Sequence, residues 1–319
     1  MSTQHILGGI GLAAGAMALV ELGVSGYFYR RTMTRNNAKT ERTIKMAGTD
    51  WNQHIGFIHS CKDYLLTQLH EDKWIQSDDG LKLHATWFPQ EEQKKVVICF
   101  HGYTGQGMQD CVGLSNYYLK HGYSMLFVDE RAHGQSEGTY IGFGCLDRKD
   151  AFKWIQWVIE ECGEETQILL HGISMGGATV LMTSGLNLPP QVKGIISDCA
   201  FTSAKEVFTH VLKTMIHLPA FPMIQISDML NQKFAGYSLD ECNAAREVKK
   251  ATVPILFIHG SGDTFVPCEM CEEIYKNCAS PKQKLMIEGA AHAECYYKET
   301  KSYEGALDKF IGGVVKWQK

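Results

Sequence analysis

The chain has 319 residues, 45% of them hydrophobic, with 31 Lys and Arg against 35 Asp and Glu and a formal charge of −4. That is enough apolar material to bury a sizeable core, and charges of both signs interleave along most of the chain, which argues against nucleic acid as the main partner. The 11 cysteines, scattered from Cys61 to Cys295, do not make the short, evenly paired framework of a secreted scaffold and fit reduced thiols in a cytosolic setting.

Residues 6–29 are apolar or small apart from Glu21 and Ser25, a run long enough to cross a bilayer as a helix. No Lys or Arg precedes it, whereas Arg30, Arg31, Arg35, Lys39, Arg42 and Lys45 follow. A secretory signal carries its positive charge on the other side. The positive-inside rule therefore predicts a single-pass anchor over residues 1–29 in the cell membrane, with the remainder on the cytoplasmic side. Gly11-x-x-x-Gly15 has the spacing that packs two such helices. The alternative is a soluble helix folded onto the domain, weakened by Glu21 within the run. Residues 30–72 read as a basic linker followed by a helix from Trp51 to Leu69.

Short, often β-branched apolar runs then begin, at Lys73–Gln76, Leu81–Phe88, Val96–His101, Ser124–Asp129, Gln167–His171, Gly194–Ser197, Pro254–His259 and Lys284–Ile287. The first two are joined by "SDDG", a hairpin signal. The later runs alternate with helical stretches such as "LDRKDAFKWIQWVIEEC" and "PCEMCEEIYKNC", which predicts a mostly parallel sheet covered on both faces. Residues 201–250 break the rhythm with no strand signal and read as an inserted helical cap. Cys268-x-x-Cys271 has no second pair at zinc-ligand spacing and no thioredoxin-like βαβ pattern leading into it, so packing is its expected use; no metal or cofactor is called for.

"ILLHGISMGGATVL" (168–181) carries the chemistry. Ser174 lies between Gly172 and Gly176, after a buried strand and before a helix of small residues. A serine on so tight a turn needs tiny neighbours two positions either side, because strand and helix converge there. The helix N-terminus beneath it favours developing negative charge. His292, in "GAAHAE" past the last strand, is the candidate base, and Asp263, in "HGSGDTFVP" past the strand before, the candidate acid. Asp198, at the end of "KGIISD", is the rival acid. The loop "HGYTG" ends another strand and is placed to aim the backbone N–H of Tyr103 at an oxyanion, with that of Met175 as second donor. Leu218, Phe221, Met223 and Ile224 in the cap are candidates for an acyl pocket, the cap's own small core being their other use.

With "DERAHGQSEG" added, these motifs make residues 73–315 resemble an α/β-hydrolase, most nearly the bacterial members with a membrane-like N-terminus described as esterases or as serine-aminopeptidase-like. The resemblance implies a mostly parallel eight-stranded sheet flanked by helices, with a small helical cap over 201–250 inside a domain of 73–319. It also implies Ser174 as nucleophile, Asp263 as acid and His292 as base. The family pattern D-x-R-G-x-G-x-S is broken at Ala132, in a loop whose Asp129 and Arg131 are expected to serve as a structural ion pair and turn. The expected reaction is hydrolysis of an apolar acyl ester through an acyl-enzyme. An amidase or peptidase with the same triad, or a non-catalytic binding protein on this fold, are the other readings.

Overall fold

The computed structural model describes residues 20–35 and 51–315. Eight strands form one sheet: β1 (Glu71–Gln76), β2 (Lys82–Phe88), β3 (Lys95–Phe100), β4 (Ser124–Val128), β5 (Gln167–Ile173), β6 (Val192–Asp198), β7 (Ile255–Gly260) and β8 (Lys282–Ile287). Their spatial order is β1-β2-β4-β3-β5-β6-β7-β8. β1 and β2 pair antiparallel, β2 runs antiparallel to β4, and every later pairing is parallel. Gly80, at φ +87°, closes the predicted hairpin.

The period of two along each central strand sends alternate side chains into two cores. Val96, Ile98 and Phe100 enter one, with Leu126, Leu170 and Phe257; Val97 and Cys99 enter the other, with Met125, Leu169 and Leu256. Burial on both faces is why these strands read as continuous apolar runs. The helix Asp147–Cys162 buries Ala151, Trp154, Ile155 and Val158 on one sheet face. The helix Thr300–Val314 buries Tyr303, Leu307, Phe310 and Ile311 on the other. Both stripes follow the helical period.

Residues 201–250 contain no strand and fold as the helices Ala204–Val211, Met223–Phe234 and Ala244–Glu247, with a wider turn at Leu212–Ile216.

The predicted anchor fares differently. Its residues 1–19 lie outside the described residues, and among the described residues no helix is long and apolar enough to cross a membrane. Residues 20–33 are helical, and their C-terminal half is part of the body. Tyr29 and Met33 are buried in the first core, Phe28 meets Phe208 of the cap edge-on at 6.0 Å, and the Ile141 N–H donates to the Met33 carbonyl. Arg35, read as linker, donates through its guanidinium to the Gly134 and Ser136 carbonyls. Side chains committed to a protein core are not offered to lipid, so Tyr29, the last residue of the predicted span, is packed against protein.

Candidate active site

Ser174, Asp263 and His292 follow β5, β7 and β8, and the Gly102 loop follows β3. All four therefore gather at the carboxyl edge of one parallel sheet, where α/β sheets bind their ligands. Ser174 adopts φ +56°, ψ −111°, a backbone that side chains rarely take. The surroundings hold it there: its N–H donates to the Asp198 carbonyl at 2.8 Å, and the Gly176 N–H donates to the His101 carbonyl at 2.9 Å. A methyl at Gly172 would run into the Gly176 carbonyl, and one at Gly176 into the Phe100 carbonyl. The glycine requirement is thus a matter of backbone touching backbone.

His292 Nε2 lies 2.8 Å from Ser174 Oγ, and His292 Nδ1 lies 2.7 Å from Asp263 Oδ2. The other carboxylate oxygen of Asp263 accepts the N–H groups of Phe265 and Val266, each at 2.9 Å. Burial by itself would raise the Asp263 carboxyl, but the charge of His292 and hydrogen bonds from His259 and His292 hold it well below the usual carboxylate range. His259, which the sequence reading passed over, is a second histidine on the acid. It is buried, with Nε2 at 2.9 Å from the Val266 carbonyl and 3.4 Å from Asp263 Oδ2.

Asp198, the rival acid, takes part in a different arrangement. Its Oδ2 accepts from Tyr303 at 3.1 Å, Tyr303 contacts His171 Nε2 at 3.0 Å, and His171 Nδ1 contacts Tyr118 at 2.8 Å. Burial pushes the Asp198 carboxyl up to about 6.

The oxyanion candidates flank the serine. Met175 opens the helix Met175–Thr183 directly after it, and Tyr103 lines the cleft with it. Asp110 shapes that loop by accepting the Gly102 N–H at 2.6 Å. The Tyr103 ring rests on Phe143 at 5.3 Å, and its hydroxyl donates to the Thr32 carbonyl at 3.0 Å, so the N-terminal helical segment braces the loop.

A cleft of about 320 Å³ opens over Ser174 and His292, and Trp51, Ile58, Asp110, Phe265 and Tyr297 are among the residues lining it. The four proposed acyl-pocket residues are not. Leu218 is 38% and Phe221 73% exposed, while Met223 and Ile224 are buried in the first core. The helix Met223–Phe234 uses its first apolar residues to hold the cap down, and the wall expected from the cap is supplied by the helix Asn52–Leu66. That helix is kept in place by Cys61 and Leu65 in the second core and by Phe57 against the Tyr296 and Tyr297 rings. Its helical spacing was visible; its position over the serine was not.

The "DERAHGQSEG" loop is structural, with partners other than those expected. Arg131 pairs with Asp150 and Asp79, and Asp129 with His84 at 2.7 Å. Ala132 sits at φ +61°, the left-handed region, which explains why the family pattern has glycine there. Among the described residues, Cys199, Asp263 and His292 are the one group of three or more with metal-ligating atoms within 4.8 Å of one another; an ion there would compete with Asp263 for His292.

Residues 91–236 match the model of the serine aminopeptidase S33 family. The chain is 27% identical over 226 residues to the protein YqkD of Bacillus subtilis, spanning 71% of this chain and 73% of that one. It is 25% identical over 204 residues to the lysophosphatidylserine lipase ABHD12 of Danio rerio, spanning 62% and 51%. The Pyrococcus furiosus esterase Pf2001 superposes with a TM-score of 0.64 at 21% identity, over 80% of this chain and 94% of that one. With its eight-stranded sheet, its serine turn and these likenesses, the chain has the α/β-hydrolase fold.

Proposed function

We propose that the protein is a serine hydrolase that cleaves carboxylic esters through an acyl-enzyme. The observation that carries this is the continuous hydrogen-bonded line from Ser174 Oγ through His292 to Asp263, opening on a cleft. As Oγ attacks the ester carbonyl, His292 Nε2 takes its proton, and the imidazolium formed is stabilised by Asp263. The N–H groups of Tyr103 and Met175 receive the oxyanion. His292 then returns the proton to the departing alcohol, and water, activated by the same nitrogen, releases the acid.

The cleft lining includes the aromatic residues Trp51, Tyr103, Phe265 and Tyr297 and one carboxylate, Asp110, and no Lys or Arg. That suits a neutral acyl ester better than one with an anionic head next to the scissile bond. The names of the lipase and esterase relatives support an ester as substrate class. An aminopeptidase using the same triad is the second reading, favoured by the Asp110 carboxylate, which would attract a substrate ammonium. Attachment to the cell membrane with the catalytic domain on the cytoplasmic side is a proposal that rests on the apolar composition of residues 6–29 and the basic residues after them. Protease accessibility in intact spheroplasts tests it.

The test of the chemistry is labelling by a fluorophosphonate, with hydrolysis of ester and amide substrates sharing one acyl group. Wild type should label and turn over the ester; Ser174→Ala should not label and should lose at least about 10³-fold in kcat. Equal labelling of both proteins overturns the assignment, and faster cleavage of the amide selects the peptidase reading.

A further inference from the structure

Cys145 and Cys242 are 97 residues apart in sequence, yet their Sγ atoms lie 2.8 Å from each other. Both side chains are buried, and both are free thiols. Each sits in irregular backbone. Cys145 belongs to the turn that enters the helix Asp147–Cys162, and Cys242 to the turn that enters the helix Ala244–Glu247. Turns tolerate the small shift that bonding needs better than two helices would. The neighbourhood already joins the same two segments, since Tyr237 of the cap donates to the Ile141 carbonyl at 2.6 Å. The hydrogen bond from Cys145 pulls the Cys242 thiol below its ordinary value, against burial and with help from the Arg148 guanidinium. Cys242 is therefore the sulfur readier to ionise, and the thiolate is the attacking species in disulfide exchange.

We propose that Cys145 and Cys242 form a redox modification site, a reversible disulfide that ties the C-terminal leg of the cap to the loop 141–146. The oxidant is a low-molecular-weight disulfide. Cys242 thiolate attacks one of its sulfurs and expels the first thiolate, leaving a mixed disulfide. Cys145, deprotonated, then attacks Cys242 Sγ and expels the second. The protein loses two electrons and two protons, and the oxidant becomes two thiols. Phe143, in the tied loop, packs on Tyr103 at 5.3 Å and on Phe208 of the cap at 4.9 Å, so the bond would stiffen the wall behind the cleft. None of this depends on which bond Ser174 cleaves.

The full-length protein should be incubated with glutathione disulfide, blocked with an alkylating agent, digested without reductant and mapped by mass spectrometry. The expected result is recovery of the Cys145 and Cys242 peptides linked to each other. Closing so long a loop should also raise the thermal midpoint by about 5–10 °C. Dithiothreitol should reverse both effects, and Cys145→Ser or Cys242→Ser should abolish both. Recovery of the two cysteines alkylated, or linked to any other cysteine, overturns the proposal. So does a midpoint rise that persists in both serine variants.

Discussion

Replacing Asp263 by asparagine keeps the size of the side chain and changes one property, the charge facing His292. The amide oxygen can still accept the Phe265 and Val266 N–H groups that Asp263 accepts now. The amide nitrogen then faces His292 Nδ1, turning that atom into an acceptor and moving the ring proton to Nε2, where it blocks transfer from Ser174. The electrostatic loss is of similar consequence: at 2.7 Å, a carboxylate and an imidazolium attract by about 6 kcal/mol at an effective dielectric constant of about 20. At about 1.4 kcal/mol per decade, and with part of the charge replaced by the amide dipole, kcat should fall roughly 10³- to 10⁴-fold. Asp198→Asn changes a carboxylate whose Oδ2 is engaged with Tyr303, and should cost less than about tenfold. The assay is kcat and kcat/KM on a short-chain p-nitrophenyl ester, with urea unfolding to show that both variants are folded. If Asp198→Asn abolishes turnover while Asp263→Asn stays within tenfold of wild type, the roles of the two acids are exchanged and the reasoning fails.

Asp198 also makes a pH prediction. Its carboxyl is raised from 3.8 to about 6 by burial, so its ionisation costs the folded state an amount that appears above the unfolded value and is complete above the folded one. The stability of Asp198→Asn relative to wild type should accordingly rise by about 2 kcal/mol between pH 4.5 and 7.5; urea titrations showing a pH-independent difference would refute this. Gly176→Ala drives a methyl into the Phe100 carbonyl and should destabilise by about 3 kcal/mol or more, whereas Ser174→Ala should unfold within about 1 kcal/mol of wild type; matched midpoints for the two would be inconsistent with the packing described. Deleting residues 1–35 removes Tyr29 and Met33 from the core and Thr32 from Tyr103, so both the thermal midpoint and kcat/KM should drop, and a truncation that leaves both unchanged would show that this segment does not brace the loop.

What could be read without coordinates was whatever depends on local periodicity and backbone demand. Short apolar runs marked all eight strands to within a few residues, the central ones most plainly, because burial on both faces of a parallel sheet leaves little choice of composition. The serine turn was legible because Gly172 and Gly176 meet main-chain carbonyls, an environment that admits no other residue. The order of the strand ends then pointed to His292 and Asp263. Tertiary structure alone decided which surfaces meet over the serine. The spacing of residues 52–66 shows a helix with an apolar side, but nothing local says that Trp51 and Ile58 face the cleft while Met223 and Ile224 turn into the core. The contact between Thr32 and Tyr103 and the approach of Cys145 to Cys242 span 71 and 97 residues. The apolar run before Arg30 met the length criterion for a bilayer, yet length and hydropathy do not distinguish lipid from a protein core, and Tyr29, at the end of that run, packs in the core. Hydrophobic burial is non-directional: a sequence states how much apolar surface must be covered, and the packing of the whole chain selects what covers it.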